Sequence, residues 1–249
     1  EIAHEFRKRG VRVILGGVHP VLLPEESAQY ADSLFLGDAE TLWHEVIDDA
    51  RHDRLKPIYR APAGPPQPGT LTRRDIFRGK GYLPLTLVQF SRGCRFNCSF
   101  CAVARYFEKQ QYFRAIDEVI AEIESQPRKL IFFVDDNINS YPERALELYR
   151  AIKPLGIRWV SQSTIDMAEN PRIMDAMLDS GCLGHVVGFE SVDPRNLKQM
   201  RKASNLSGWE RYGRQLKVMR EYGLQTWASF VLGYDYETPA SVREVADFA

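Results

Sequence analysis

Short apolar runs recur along most of this chain, separated by stretches with helix punctuation. From about residue 85 the runs fall at 85–90, 129–134, 157–162, 185–190 and 225–232, each short enough to be a buried strand. The segments between them carry helix signals. Ser140-Tyr141-Pro142-Glu143 combines an N-cap, an early proline and a capping-box glutamate. Asn170-Pro171 opens a further helix that Gly181 closes. Ser207-Gly208-Trp209-Glu210 reads as a second capping box with Gly223 as its stop, and Thr238-Pro239 opens the last helix. Strands alternating with helices predict a parallel sheet, and an open sheet and a barrel both fit. In either form ligands gather at the carboxyl ends of the strands.

The first part of the chain has a different rhythm. A helix over Ile2 to Lys8 precedes the apolar strand Val11-Arg12-Val13-Ile14-Leu15, which runs into Gly16-Gly17. A helix is expected around Glu25–Tyr30, a strand at Ser33–Leu36 and a helix from about Asp38 to Ala50. Two strands make no buried parallel sheet alone. Residues 1–52 therefore read as the last part of an open α/β domain. Residues 53–80 hold Pro57, Pro62, Pro65, Pro66 and Pro68 with Gly64 and Gly69, the composition of a semi-extended linker. Residues 81–249 form the βα repeat. The chain starts at Glu1 inside a helical pattern and stops at Ala249 inside an amphipathic one, so an internal fragment of a longer protein is expected.

Composition narrows the class only a little. Hydrophobic residues make up 44% and charged residues 27% of the 249 positions, as in soluble globular proteins. Lys+Arg and Asp+Glu balance at 33 each, so no global field draws in nucleic acid or anionic membrane. No apolar run approaches the roughly 20 residues of a membrane span. Four cysteines without a paired scaffold argue for a reducing cytoplasm.

Three of those cysteines carry the chemistry. Cys94, Cys98 and Cys101 stand as CxxxCxxC directly after the first strand of the repeat. Three thiolates can hold three irons of a [4Fe–4S] cluster and leave the fourth iron open to a substrate or cofactor, whereas most such clusters are closed by a fourth cysteine. Zinc is an alternative, although structural zinc wants four ligands and no second pair follows. Cys98 and Cys101 alone also fit a redox pair. The other strand ends are polar. Asp135, Asp136 and Asn137 follow the second strand, and Ser161 and Gln162 end the third. Glu190 and Ser191 follow the fourth, and Gly233 follows the fifth. Five polar ends in register predict a lined pocket. Arg114 can pair with a cofactor carboxylate or sit in a surface salt bridge. Tyr106, Phe107, Tyr112 and Phe113 are expected to pack under the cysteine loop, and Cys182 is expected as a buried structural thiol. His4, His44, His52 and His185 are expected at the surface or in packing.

These residues resemble the radical SAM superfamily. The cysteines, with Phe100 before the last, match its CxxxCxΦC signature, and Gly188-Phe189-Glu190-Ser191 resembles its G-[IF]-E-S segment. Asp135-Asp136-Asn137 stands where the family usually writes GGE. The resemblance implies a partial (β/α)6 radical SAM barrel, α/β in class. It also implies that Cys94, Cys98 and Cys101 hold the cluster and that Asp135, Asp136, Asn137, Ser161, Gln162, Glu190, Ser191 and Gly233 hold S-adenosylmethionine. Val13 to Pro20, Pro24-Glu25-Glu26 and Gly37-Asp38-Ala39-Glu40 are similar to the end of a Rossmann-like cobalamin-binding domain that precedes such barrels. Gly16, Gly17, Gly37 and Glu40 would then face cobalamin, with His19 a loop residue near the cofactor's tail. The implied reaction is reductive cleavage of S-adenosylmethionine to a 5′-deoxyadenosyl radical, followed by methylation of an unactivated carbon. A ring-forming or oxidative reaction is the alternative within the family, and a zinc-stabilised binding module is the alternative outside it. The implied partners are a small-molecule or lipid substrate and an electron donor such as flavodoxin or ferredoxin, with no nucleic acid.

Overall fold

The computed structural model describes residues 1–249 apart from 70, 71, 78, 207 and 208. The N-terminal part begins with α1 (Ile2–Lys8), β1 (Ile14–Gly16), α2 (Val18–Leu22), α3 (Pro24–Ala28) and β2 (Ser33–Leu36). A 3-10 turn at Ala39–Thr41 leads into α4 (Trp43–Arg51), and β3 (Ile58–Arg60) follows. The three strands form a parallel sheet in the order β1-β2-β3. Two small clusters support it: Leu34, Leu36 and Ala31 on one face, and Phe35, Val46 and Tyr59 on the other. The strand β3 lies inside the stretch expected as linker. Proline at 57 does not prevent it, because Pro57 contributes only its carbonyl, which accepts from Leu34 N at 2.9 Å. The glycine and proline residues that break regular structure begin after Arg60.

The second part runs β4 (Thr86–Val88), β5 (Ser91–Gly93), α5 (Ala102–Tyr106), β6 (Gln111–Phe113) and α6 (Ile116–Glu124). It continues with β7 (Leu130–Phe133), α7 (Pro142–Ile152), β8 (Arg158–Ser163), α8 (Pro171–Asp179) and β9 (Cys182–Glu190). The last elements are α9 (Pro194–Gln199), α10 (Ala203–Leu206), α11 (Tyr212–Glu221), β10 (Gln225–Phe230) and α12 (Pro239–Phe248). The main sheet is parallel throughout, in the order β10-β9-β8-β7-β4. Each strand lies beside its neighbour in the repeat, so the winding never reverses. A doubly wound sheet would show a switch point; this order is the arc of a barrel. The alternation of strands and helices leaves an open sheet and a barrel both possible; the strand order is that of the partial barrel the family resemblance implies.

Winding in one direction puts the helices on one face. Val88, Ile131, Phe133, Trp159, Val187 and Phe189 point from the strands into that layer. They meet Val119 and Ile123 of α6, Leu148, Tyr149 and Ile152 of α7, Ile173 and Met177 of α8, and Met219 of α11. Trp159 is fully buried, stacks on Tyr149 at 5.0 Å and donates its ring N–H to Ser180 O at 3.1 Å. The alternate residues Phe132, Val160 and Val186 face the concave side and are half-buried.

Local signals and structure differ in a few places. Ser140 does not cap α7. Its hydroxyl turns to Gln111 instead, and Tyr141 occupies the N-cap without a side-chain bond. Asn170 and Thr238 do cap α8 and α12, Asn170 Oδ1 accepting from Ile173 N at 3.4 Å and Thr238 Oγ1 from Ser241 N at 3.1 Å. The capping box expected at Ser207–Glu210 lies outside the described residues at 207 and 208. His19 is in α2 rather than a loop, exposed and 3.6 Å from Glu26. His185 is fully buried against Trp159.

Candidate active site

The cysteine loop leaves the carboxyl end of β4 through β5, which pairs antiparallel with β6. Glycine is required at 93. Its φ is +86°, and a Cβ there would overlap Gln110 O and press on the Phe107 ring. Phe107 in turn meets Tyr106 at 4.7 Å and Tyr112 at 6.3 Å, the aromatic packing expected under this loop. Cys98 is buried, Cys94 and Cys101 are half-buried, and none forms a disulfide. A turn closes between them, Cys101 N donating to Cys98 O at 3.2 Å. Ser99 ties the loop to the end of α9: its N–H donates to Met200 O at 2.9 Å and its hydroxyl to Gln199 O at 3.1 Å.

Burial pushes the Cys94 thiol up from its ordinary value, and the Cys101 and Cys98 sulfurs add to that shift. Burial raises Cys98 as well, against the pull of the Lys202 ammonium. Burial and mutual repulsion disfavour free thiolates here, and a cationic iron centre would supply the counter-charge that lets three of them form together. Among the described residues no three His, Cys, Asp or Glu side chains converge tightly enough for a single metal ion. A four-iron cube is larger than an ion, and its thiolates stand further apart.

The remaining strand-end residues divide into open and occupied. Asp135 is fully buried, and its oxygens accept from Phe90 N at 3.1 Å, Ser91 N at 2.6 Å and Ser91 Oγ at 2.5 Å. It staples β7 to the start of the cysteine loop and is closed to a ligand. Ser161 is also fully buried, its hydroxyl donating to Phe133 O at 2.8 Å. Glu190 is held by Lys202, and Ser191 Oγ accepts from Asp193 N at 3.1 Å. Asp136 is half-buried and accepts only from Gly93 N, at 2.8 Å, among the bonds described. Gln162 is half-buried beside it, reaching Asp135 O at 3.4 Å. Asn137 Nδ2 donates to Thr164 Oγ1 at 3.3 Å, but its buried side-chain oxygen, Oδ1, has no partner among the described residues. Gly233 is exposed, its N–H donating to Glu237. Arg114 is neither a surface pair nor open to a ligand. Its guanidinium is buried on Glu122, at 2.6 Å, and on Gln89 O, at 2.9 Å.

Over residues 88–249 the sequence matches the family model of the radical SAM superfamily. The chain belongs to the radical SAM superfamily. That superfamily implies a [4Fe–4S] cluster and S-adenosylmethionine, which the cysteine loop and the open strand ends fit. The chain is 28% identical to the bacteriochlorophyllide d C-12(1)-methyltransferase of Chlorobaculum tepidum, over 99% of this chain and 56% of the relative. It is 28% identical to the bacteriochlorophyllide d C-8(2)-methyltransferase of the same organism, over 100% of this chain and 59% of the relative. Its fold matches that of the radical S-adenosylmethionine methyltransferase TsrM from Kitasatospora setae, solved with cobalamin and a [4Fe-4S] cluster bound. The TM-score is 0.74 at 19% identity, over 100% of this chain and 56% of that one. The chain thus spans little more than half the length of these proteins. Among its described residues no helix is long and apolar enough to cross a membrane.

The N-terminal residues singled out in the sequence also have visible employment. Gly37, at φ +109°, allows β2 to pass Ala61 O, which a Cβ would overlap. Glu40 pairs with Arg92 at 2.9 Å. Gly16 runs close to Phe35 O, at 3.4 Å from an added Cβ, whereas Gly17, at φ +98°, faces open space. Arg92 and Lys202 carry no signal in the sequence, and Asp38 only its place in the Gly37-Asp38-Ala39-Glu40 segment. They are ordinary charged residues until the fold gathers them.

Proposed function

We propose that the protein containing this chain is a cobalamin-dependent radical SAM enzyme that methylates an unactivated carbon of a small-molecule or lipid substrate. The observation that carries this reading is the placement of Cys94, Cys98 and Cys101 on the loop after the first strand of a one-way parallel arc, at the strand ends where Asp136 and Gln162 are half-buried and Asn137 Oδ1 is buried. Similarity to methyltransferases over the whole chain supports the methylation part, and the fold shared over the whole chain, N-terminal sheet included, with a methyltransferase solved with cobalamin bound supports the cobalamin part. In this reading residues 1–61 are the C-terminal part of the cobalamin-binding domain, 62–80 the linker, and 81–249 part of the radical SAM barrel.

When bound, the cluster, S-adenosylmethionine and cobalamin supply one-electron carbon–sulfur cleavage and a transferable methyl group. The chain's own residues bind and orient. Cys94, Cys98 and Cys101 would hold three irons and leave one free. Lys202, already paired with Glu190, offsets only part of the negative charge that thiolates would bring near Cys98. Asn137 offers a side-chain oxygen, Oδ1, without a partner among the described residues, the kind of acceptor that an ammonium group needs. Asp136 adds a carboxylate in a site where burial pushes its pKa up, and a cationic partner would reverse that shift. The open backbone at Gly17 offers a surface on which the cofactor's tail can lie. An electron donor of the flavodoxin or ferredoxin kind would reduce the cluster.

Anaerobic reconstitution of the full-length protein with iron and sulfide tests this directly. A brown protein that cleaves S-adenosylmethionine, with cleavage lost in Cys98→Ala, is expected. A colourless protein with stoichiometric zinc would overturn the reading. Product mass then separates methylation, which adds one methylene per turnover, from ring-forming or oxidative chemistry, which does not.

A further inference from the structure

One carboxylate of the N-terminal unit reaches both ends of the cysteine loop. Arg92 lies two residues before Cys94, on β5, with its side chain about 10% exposed. Its Nη1 is 3.2 Å from Asp38 Oδ2, and its Nη2 is 2.9 Å from Glu40 Oε1. Tyr106 ends α5, the helix that starts directly after Cys101, and its hydroxyl donates to Asp38 Oδ1 at 2.8 Å. Gly64 N, beyond β3, donates to Asp38 Oδ2 at 3.1 Å. Asp38 therefore receives a guanidinium from the entry of the loop, a phenol from its exit and a backbone N–H from the connecting segment. All three are donors, and an ionised carboxylate is an acceptor at every lone pair, so the set is complementary.

The clamp has little slack. Asp38 follows Gly37, whose backbone passes too close to Ala61 O to tolerate a side chain. Arg92 is held in the β5–β6 pair opposite Tyr112. α2 packs against α5 beside the same junction. A loop that must hold three thiolates at fixed separations gains from having both its ends tied to one rigid point.

We propose that Asp38 is a positioning residue, a single anchor that fixes both ends of the cysteine loop and so makes the loop's geometry depend on docking of the N-terminal unit. The proposal rests on the reading of Cys94, Cys98 and Cys101 as the cluster ligands.

Hydrogen exchange on the full-length protein tests the anchor without using activity. Asp38→Asn turns an amide N–H₂ toward donors, and exchange in residues 92–106 is expected to speed up by roughly ten-fold while β7, β8 and β9 keep their protection. Tyr106→Phe removes one hydrogen bond, and a smaller acceleration confined to α5 is expected. It serves as the second arm if Asp38→Asn does not fold. Asp38→Glu, which keeps the charge, should restore part of the protection. Unchanged exchange in 92–106 in both variants, or acceleration spread evenly over the chain, would overturn the proposal. Iron uptake separates it from the functional reading. If the unaltered protein binds no iron, the cluster reading fails, and the exchange result still stands or falls by itself. If the unaltered protein loads iron, Asp38→Asn is expected to load less of it and to give a broadened spectrum of the reduced cluster.

Discussion

The Lys202 ammonium donates to Glu190 Oε1 at 2.8 Å, and both side chains are less than a tenth exposed. Glu190 ends β9 with φ at +66°, a conformation that costs a non-glycine residue free energy unless its surroundings hold it. Gly188 makes the room: a Cβ there would overlap Glu190 Oε1 and lie 3.0 Å from Lys202 Nζ. Asn205 braces the same corner by donating to Gly188 O at 2.9 Å and Phe189 O at 3.1 Å.

Removing one partner of this pair should be costly. Lys202→Met leaves a buried carboxylate without its counter-charge, and a loss of about 3–5 kcal/mol is expected. Glu190→Gln combined with Lys202→Met should recover much of that loss, because no lone charge remains. Denaturant titrations of the two single variants and the double variant measure the coupling. Additive losses would show that the pair does not act as one unit.

Gly37→Ala should destabilise the N-terminal sheet. The backbone at φ +109° and the collision with Ala61 O together predict a loss of about 2–4 kcal/mol. A thermal melt followed by exchange at β2 and β3 locates the damage; it should lie where Ala61 N donates to Leu36 O, now 2.9 Å.

Asp135→Asn should cost about 1–3 kcal/mol, since an amide cannot accept from all three donors that Phe90 and Ser91 present. The loss should also depend on pH. Burial pushes the Asp135 carboxyl from 3.8 up to about 7, so the folded chain takes up a proton across that range. The native protein therefore loses stability relative to the asparagine variant as pH rises from about 4 to 7. A stability difference independent of pH would contradict this assignment.

His185 titrates with the opposite sign. Burial alone lowers it from 6.5 to about 3, so the unfolded chain binds the proton first as pH falls. Below about pH 6.5 the native state should lose roughly 1.4 kcal/mol per pH unit through this group. His185→Gln removes the titration and should flatten the acid limb between about 6.5 and 3 in paired chemical melts. An unchanged limb would mean that the ring reaches water.

Much of the barrel was legible because strand and helix periods are local. Asn170, Gly181, Gly223 and Thr238 mark helix ends through their own backbone and side-chain preferences, and the structure keeps them. Ser140 carries a capping signal that the fold does not use, because its hydroxyl has a tertiary partner in Gln111. The strand at Ile58–Arg60 was masked by the prolines around it, although an edge strand needs few of its own N–H groups. At the candidate site, adjacent carboxylates looked equivalent in sequence. Asp135 and Asp136 point to opposite sides of the chain, so one closes on Ser91 and the other stays open.

By itself, the sequence determined what spacing and period can carry: a parallel βα repeat, a three-thiol loop after its first strand, and polar residues at the strand ends. Only the tertiary structure decided that the repeat winds one way into an arc and that Arg114 and Asp135 are structural. It alone brought Asp38, Arg92 and Tyr106 together around the cysteine loop. Periodicity reports a residue's own neighbourhood along the chain. The partner that finally satisfies a buried charge is set by which distant segments pack together, and no local pattern records that.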